Sequence, residues 1–192
     1  MNKKTIKIGE WFFKHRDYTP ITLIIILILI SQFNLIYFII GIVLTLIGEF
    51  IRFYSVAFIG GISRTRKGSV SNLITEGPFN CVRNPLYLGN FILSLGISFL
   101  SSNPFFLLAY IILFWIQYIP IVLWEEELLL HKFGEAYIRY KSSVPRFFPK
   151  FNCKPWKGKK DFKKALKSEK STLLTIFGLY LIISVKFFVL KI

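Results

Sequence analysis

Residues 35–59, LIYFIIGIVLTLIGEFIRFYSVAFI, form an unbroken apolar run interrupted by only two charged side chains, Glu49 and Arg52. A helix over this stretch, rising about 1.5 Å per residue, crosses a hydrocarbon core of roughly 30 Å. Glu49 and Arg52 stand at i, i+3 spacing, so they share one helix face and can pair there. Charges at that depth mark function by default, although Arg52 alternatively reaches towards the membrane boundary.

Working outward, hydropathy places further apolar segments at Tyr18–Phe33, Leu86–Leu100, Phe105–Trp124 and Thr172–Leu190. The expected fold class is all-α: a polytopic membrane helix bundle of about five transmembrane helices, with an amphipathic helix on the cytosolic side. The Leu86–Leu100 span falls short of the hydrocarbon thickness, so it either extends into the residues before it or sits low in the bilayer. The chain reads as a single integral membrane domain over 1–192, with a core at 52–149, a basic linker at 150–171 and an extra C-terminal transmembrane helix at 172–190.

A net charge of +15 raises the question of a nucleic-acid partner, which the placement of the 25 lysines and arginines answers. Five precede the first span, four lie between the second and third, and thirteen lie between the fourth and fifth. The turns at Ser31–Asn34 and Ser101–Pro104 carry none. All these clusters fall on one side when the N-terminus is cytoplasmic. Insertion topology therefore accounts for the excess, and no nucleic-acid partner is expected. The block Lys154–Lys170 holds eight lysines against Asp161 and Glu169 and reads either as a solvated linker or as a patch for an anionic membrane surface.

The apolar stretch after the basic N-terminus shows no small-residue cleavage site, so a retained helix is expected rather than a signal peptide. Cys81 and Cys153 lie 72 positions apart with no CxxC or histidine partner. They read as separate cytosolic thiols, and no metal site is expected.

Two polar constellations carry the chemistry. In CVRNPLYLG, residues 81–89, Asn84 suits an N-cap and Pro85 the first helical position. The helix start and Arg83 then offer a site for a carboxylate or phosphate. Upstream, TEGPFN turns at Gly77 and Pro78, and irregular backbone near the membrane needs polar partners or a ligand. Gly89 and Gly96 share a face suited to close helix contact. The second constellation is residues 124–149, WEEELLLHKFGEAYIRYKSSVPRFFP. Glu125, Glu126 and Glu127 point about 100° apart on a helix, so at least one faces the bundle. A solvated helix C-terminus favours cations over three acids. Phe133, Tyr137, Tyr140 and Val144 recur as the apolar stripe of an amphipathic helix on the membrane surface.

Together, EGPFNCVRNPLYLG, a hydrophobic hairpin and EEELLLHKFGEAYIRYKSSVPRFFP resemble the membrane methyltransferase superfamily that includes isoprenylcysteine carboxyl methyltransferases and phospholipid N-methyltransferases. The resemblance covers about 52–149. It implies an S-adenosylmethionine site on the cytosolic side, with Arg83, Asn84, Pro85, Tyr87 and Gly89 in one cofactor-binding element and Glu125 and Glu126 in the other. The family often carries histidine where this chain has Asn84. It further implies methyl transfer to a lipid or lipidated substrate, a phospholipid amine or an isoprenylcysteine carboxylate. Glu49, Arg52 and Arg146 are the candidate catalytic side chains, the carboxylate to accept a proton from an amine and the arginines to position a carboxylate. Two other readings compete: an NADPH-dependent membrane reductase of the sterol type, and a non-catalytic lipid-binding protein that uses the lysine block. The sequence sets no oligomeric state.

Overall fold

The Leu35–Ile59 stretch is one continuous helix, α3, in the computed structural model, which describes residues 3–59 and 72–189. Arg64, Arg66 and Lys67, which enter the orientation argument, and Leu190, the expected end of the last span, lie outside the described residues. The other helices are α1 (Lys3–His15), α2 (Thr19–Ile30), α4 (Pro85–Phe99), α5 (Pro104–Phe133), α6 (Glu135–Ser143) and α7 (Phe162–Phe188). The described residues form no strand, in line with the all-helical expectation.

Three helices, α3, α5 and α7, are long and apolar enough to cross a membrane, while α2 and α4 are apolar but shorter. At about 1.5 Å per residue, a 15-residue α4 extends about 22 Å and cannot cross alone. The large apolar side chains of the long helices, such as Leu46, Phe50, Ile112, Ile116, Phe177 and Leu181, point outward. On α3 it is small and polar residues, Gly41, Thr45, Gly48, Glu49 and Ser55 among them, that point inward. This inversion is what a bilayer selects, because lipid solvates leucine and isoleucine, whereas close helix contact requires small residues.

The α3–α4 contact shows the rule. A Cβ on Gly48 would meet Leu93 Cα at 2.6 Å, and one on Gly89 would meet Arg52 Cγ at 2.7 Å. Gly89 and Gly96 therefore serve close packing, and that packing brings Arg52 against the polar motif.

At one end of the bundle the lysine-free turns meet, with Ser102 Oγ donating to Gln32 O at 2.8 Å. Leu27, Leu100, Leu179, Ile183 and Phe187 pack together there. Lys186 closes that end by donating from Nζ to Ile28 O and Ser31 O, each at 2.8 Å, which satisfies carbonyls at the end of α2.

The opposite end departs from expectation in four ways. The N-terminal segment folds as amphipathic α1 and lies along α5, with the Phe13 and Trp124 rings 4.7 Å apart. The fourth span does not stop at Trp124, because α5 continues to Phe133 despite Pro120 and carries all three glutamates on a regular helix. The α6 stripe packs inward, burying Tyr137, Tyr140 and Val144 as one cluster. Residues 145–161 are a strap across the Glu76–Arg83 segment rather than a free linker. Gly77 N donates to Lys157 O at 2.8 Å, Lys150 N to Cys81 O at 3.0 Å, and Asp161 N to Ala57 O at 2.9 Å.

The strap also corrects the reading of the cysteines. Cys81 and Cys153 form a disulfide with Cα atoms 5.2 Å apart, which staples the strap to the motif. The 72-residue separation gives no sign of this, because only the folded strap brings the pair together. The last helix likewise begins at Phe162, ten residues before the expected Thr172, with the Asp161 side chain capping it at Lys164 N, 3.0 Å away.

Candidate active site

The backbone enters the site through a short 3-10 turn, Gly77–Asn80, and leaves it as α4. Arg83 lies between these elements, fixed by its own N–H donating to Pro145 O at 2.9 Å. Its side chain is 8% exposed, and all three guanidinium nitrogens are engaged. Nε donates to Glu126 Oε1 at 3.0 Å, and Nη2 lies 3.0 Å from the same oxygen. Nη1 donates to Lys141 O at 3.0 Å and Val144 O at 2.6 Å.

Glu126 is shared with a second arginine. Arg146 Nε donates to Oε1 at 3.0 Å and Nη2 to Oε2 at 2.8 Å, a two-pronged pair. The Glu126 bond and charge hold the Arg146 guanidinium above its ordinary pKa. Arg83 from the first constellation and Glu126 and Arg146 from the second therefore meet in one centre. The Tyr137 hydroxyl is buried next to it with no hydrogen-bond partner among the described residues. Burial first, then the charge of Glu126, pushes its ionisation up, so it remains a neutral phenol.

Asn84 behaves differently from a cap. It precedes Pro85 at the N-cap position, but its side chain makes no capping bond; Nδ2 donates to Arg146 O at 3.3 Å instead. The first turn of α4 thus keeps main-chain N–H groups without a side-chain acceptor.

One turn along α4, Tyr87 lies within reach of the Glu125 charge, so adjacent acids of α5 face two different partners. The Tyr87 ring packs at a tilt against Tyr118, with centroids 5.2 Å apart. Arg16, just past α1, brings its charge to bear on Tyr87, Tyr118 and Glu125. Sequence reasoning left Arg16 among the topology-setting basic residues; only the packing of α1 on α5 distinguishes it.

A second charged centre adjoins Gly89. Arg52 Nε lies 3.4 Å from Glu49 Oε2, the pairing expected from their spacing. Arg52 Nη2 also donates to Glu169 Oε2 at 2.8 Å, and Glu169 is fully buried on α7. In the sequence Glu169 falls in the lysine block that reads either as a solvated linker or as a patch for an anionic membrane surface. Glu49, Arg52, Tyr87, Gly89 and Glu125 thus gather around α4, beside the Arg83–Glu126–Arg146 centre. Among the described residues no group of three or more His, Cys, Asp or Glu side chains is arranged to hold a metal ion.

A family model described as phospholipid methyltransferase matches residues 35–136, more than half of the chain. The chain belongs to this family. Being a family member with long apolar helices, it is an integral membrane protein. The matched region contains Glu49, Arg52, Arg83–Gly89 and the glutamates of α5, whereas Arg16, Arg146, Cys153 and Glu169 lie outside it.

The chain is also similar to proteins named protein-S-isoprenylcysteine O-methyltransferase. The Xenopus laevis protein is 33% identical over 115 residues, 58% of this chain and 40% of the relative. The Saccharomyces cerevisiae protein is 30% identical over 110 residues, 55% of this chain and 46% of the relative. The Arabidopsis thaliana B form is 28% identical over 116 residues, 58% of this chain and 59% of the relative. The match thus spans less than two thirds of each of these relatives. No solved structure matches the chain significantly.

Proposed function

We propose that this protein transfers a methyl group from S-adenosylmethionine to a lipophilic acceptor, either a phospholipid amine or an isoprenylcysteine carboxylate. The observation that carries this reading is the meeting of two remote polar stretches at Glu126, where Arg83 and Arg146 share one carboxylate. The names of the relatives favour methyl transfer.

The residues present suit such a donor. Its carboxylate matches Arg146, whose side chain is 34% exposed, and the uncapped first turn of α4 at Asn84, Pro85 and Tyr87. Its hydroxyl and ammonium groups match Glu125 and the buried Tyr137 hydroxyl, which has no hydrogen-bond partner among the described residues. When bound, the donor supplies an electrophilic methyl group on a sulfonium, which already contains its leaving group.

The chain's own residues then do three things. Arg83 and Glu126, with their donors and acceptors engaged inside the protein, keep the lip of the site rigid. Phe91, Trp115 and Phe147 form an aromatic wall on the bundle side, with Trp115 and Phe147 centroids 4.9 Å apart, which keeps water out. Arg52, beside Gly89, positions an anionic acceptor headgroup, while Glu49 or Glu125 accepts the proton from an amine.

Orientation follows from charge. The lysine-free turns joined by Ser102 and Gln32 form one end of the bundle, which supports a cytoplasmic N-terminus and active site at the other. Lys163, Lys167 and Lys170 line a groove with Leu166, Leu174 and Phe177 that suits an anionic membrane surface.

Incubating purified protein in nanodiscs with methyl-labelled donor and two probe acceptors, phosphatidylethanolamine and N-acetyl-S-farnesylcysteine, tests the reading. Label in one acceptor supports it. Label in neither, together with calorimetric binding of NADPH, supports the reductase.

A further inference from the structure

The C-terminal helix α7 lies beyond the residues that match the family, yet it buries a carboxylate against Arg52. Glu169 is 0% exposed, and withdrawing a carboxylate from water costs several kcal/mol before its partner offsets it. Docking of α7 does not require that cost. Ala165 packs on Val56 and Ala57, Thr45 and Tyr180 share a hydrogen bond of 2.9 Å, and Lys186 closes the far end. An apolar residue at position 169 would dock the helix as well or better.

Glu169 changes the geometry of Arg52. Glu49 is one turn away on α3 and meets Nε at 3.4 Å, which leaves the guanidinium able to swing about the end of its stem. Glu169 takes Nη2 at 2.8 Å from another helix, so the guanidinium is tied to α7 as well as paired with Glu49 on α3. The Arg52 stem lies against Gly89, where a Cβ would meet Cγ at 2.7 Å, and its charge reaches Tyr118. The fixed guanidinium is therefore set beside the α4 motif.

We propose that Glu169 is a positioning residue for Arg52, holding its guanidinium towards the headgroup of the lipid acceptor beside Gly89, so that α7 is a working part of the acceptor site. This rests on the methyl-transfer reading above for the identity of the acceptor, but the Glu169–Arg52 coupling does not depend on it.

The test compares wild type, Glu169→Gln, Glu169→Asp, Arg52→Ala and the Arg52→Ala/Glu169→Gln double variant in nanodiscs. The first readout is the side-chain Nε–H resonance of Arg52, assigned by its absence in the Arg52→Ala protein. Glu169→Gln shifts and broadens it, and Glu169→Asp moves it less. A resonance unchanged in both variants overturns the proposal whether or not the protein transfers methyl groups. The second readout is kinetic, with phosphatidylethanolamine and N-acetyl-S-farnesylcysteine as probes. For the probe that takes label, Glu169→Gln raises KM about tenfold, as expected for loss of one charge-assisted hydrogen bond, and leaves donor affinity within about twofold. The double variant is no worse than Arg52→Ala alone. Additive losses, or an equal loss of donor affinity, overturn the proposal; Glu169→Asp supplies the same readouts if the glutamine variant does not fold. A moved resonance in a protein that labels neither probe refutes the acceptor role and the methyl-transfer reading together, whereas an unmoved resonance in an active protein refutes only the role of Glu169.

Discussion

Arg83 and Arg52 are both arginines held by a glutamate from a distant helix, but their surroundings differ. Arg83 spends its donors on Glu126 and on two main-chain carbonyls, and Glu126 is neutralised further by Arg146, so two positive charges surround one negative. Arg52 has the reverse arrangement, one guanidinium between Glu49 and Glu169. The first centre lies where α4 begins and the strap crosses; the second lies on spanning helices. Loop geometry is locked by a surplus of donors, while the arginine inside the bundle is paired with two acids. On the proposed reading, the first centre governs the integrity and donor binding of the site, and the second governs the acceptor.

The largest expected effect comes from breaking the first centre. Glu126→Ala leaves two arginines without their shared carboxylate and lowers stability by about 3–5 kcal/mol, the usual cost of removing one partner of a buried pair. Thermal unfolding in nanodiscs checks it, and methyl transfer is lost as well. Next, the Cys81→Ser/Cys153→Ser protein releases the staple between strap and motif and loses about 2–4 kcal/mol. Its donor affinity falls while the Arg52 resonance stays in place, a separation of the two centres visible by combining calorimetry with side-chain NMR. Arg146→Lys replaces a two-pronged pair with a point charge and, at a partly exposed position, costs about 1 kcal/mol in stability. Donor affinity drops more than acceptor KM rises. The smallest effect is at the surface. Exchanging Lys163, Lys167 and Lys170 for glutamine leaves turnover in neutral nanodiscs unchanged and weakens association with anionic vesicles by about 1 kcal/mol per lysine, measured by flotation at low salt.

The same contrast explains what the sequence disclosed. The spans were legible because apolar runs answer directly to bilayer thickness, and α3 matches its expected bounds of Leu35 and Ile59. Glu49 and Arg52 were legible as a pair because helix spacing alone sets their proximity. Asn84 was legible as the residue before a helix, though its amide bonds Arg146 O rather than capping, a choice only the strap could impose. Glu169 was not legible, since one of two acids among eight lysines reads as part of a surface block until α7 is docked on α3. The Cys81–Cys153 bridge and Arg16 were hidden for the same reason, because each depends on a segment outside the spans folding back onto the motif. The Glu126 centre was half legible: its members were named separately, but no periodicity relates residue 83 to residues 126 and 146.

The most direct test of the account is calorimetric titration of S-adenosylmethionine into wild-type protein and into Glu126→Gln protein, both in nanodiscs. Saturable one-site binding that weakens at least tenfold in the variant is the predicted result. Equal affinity in the two proteins, or no binding to the wild type, contradicts the claim that Glu126 joins two distant polar segments into a single donor site.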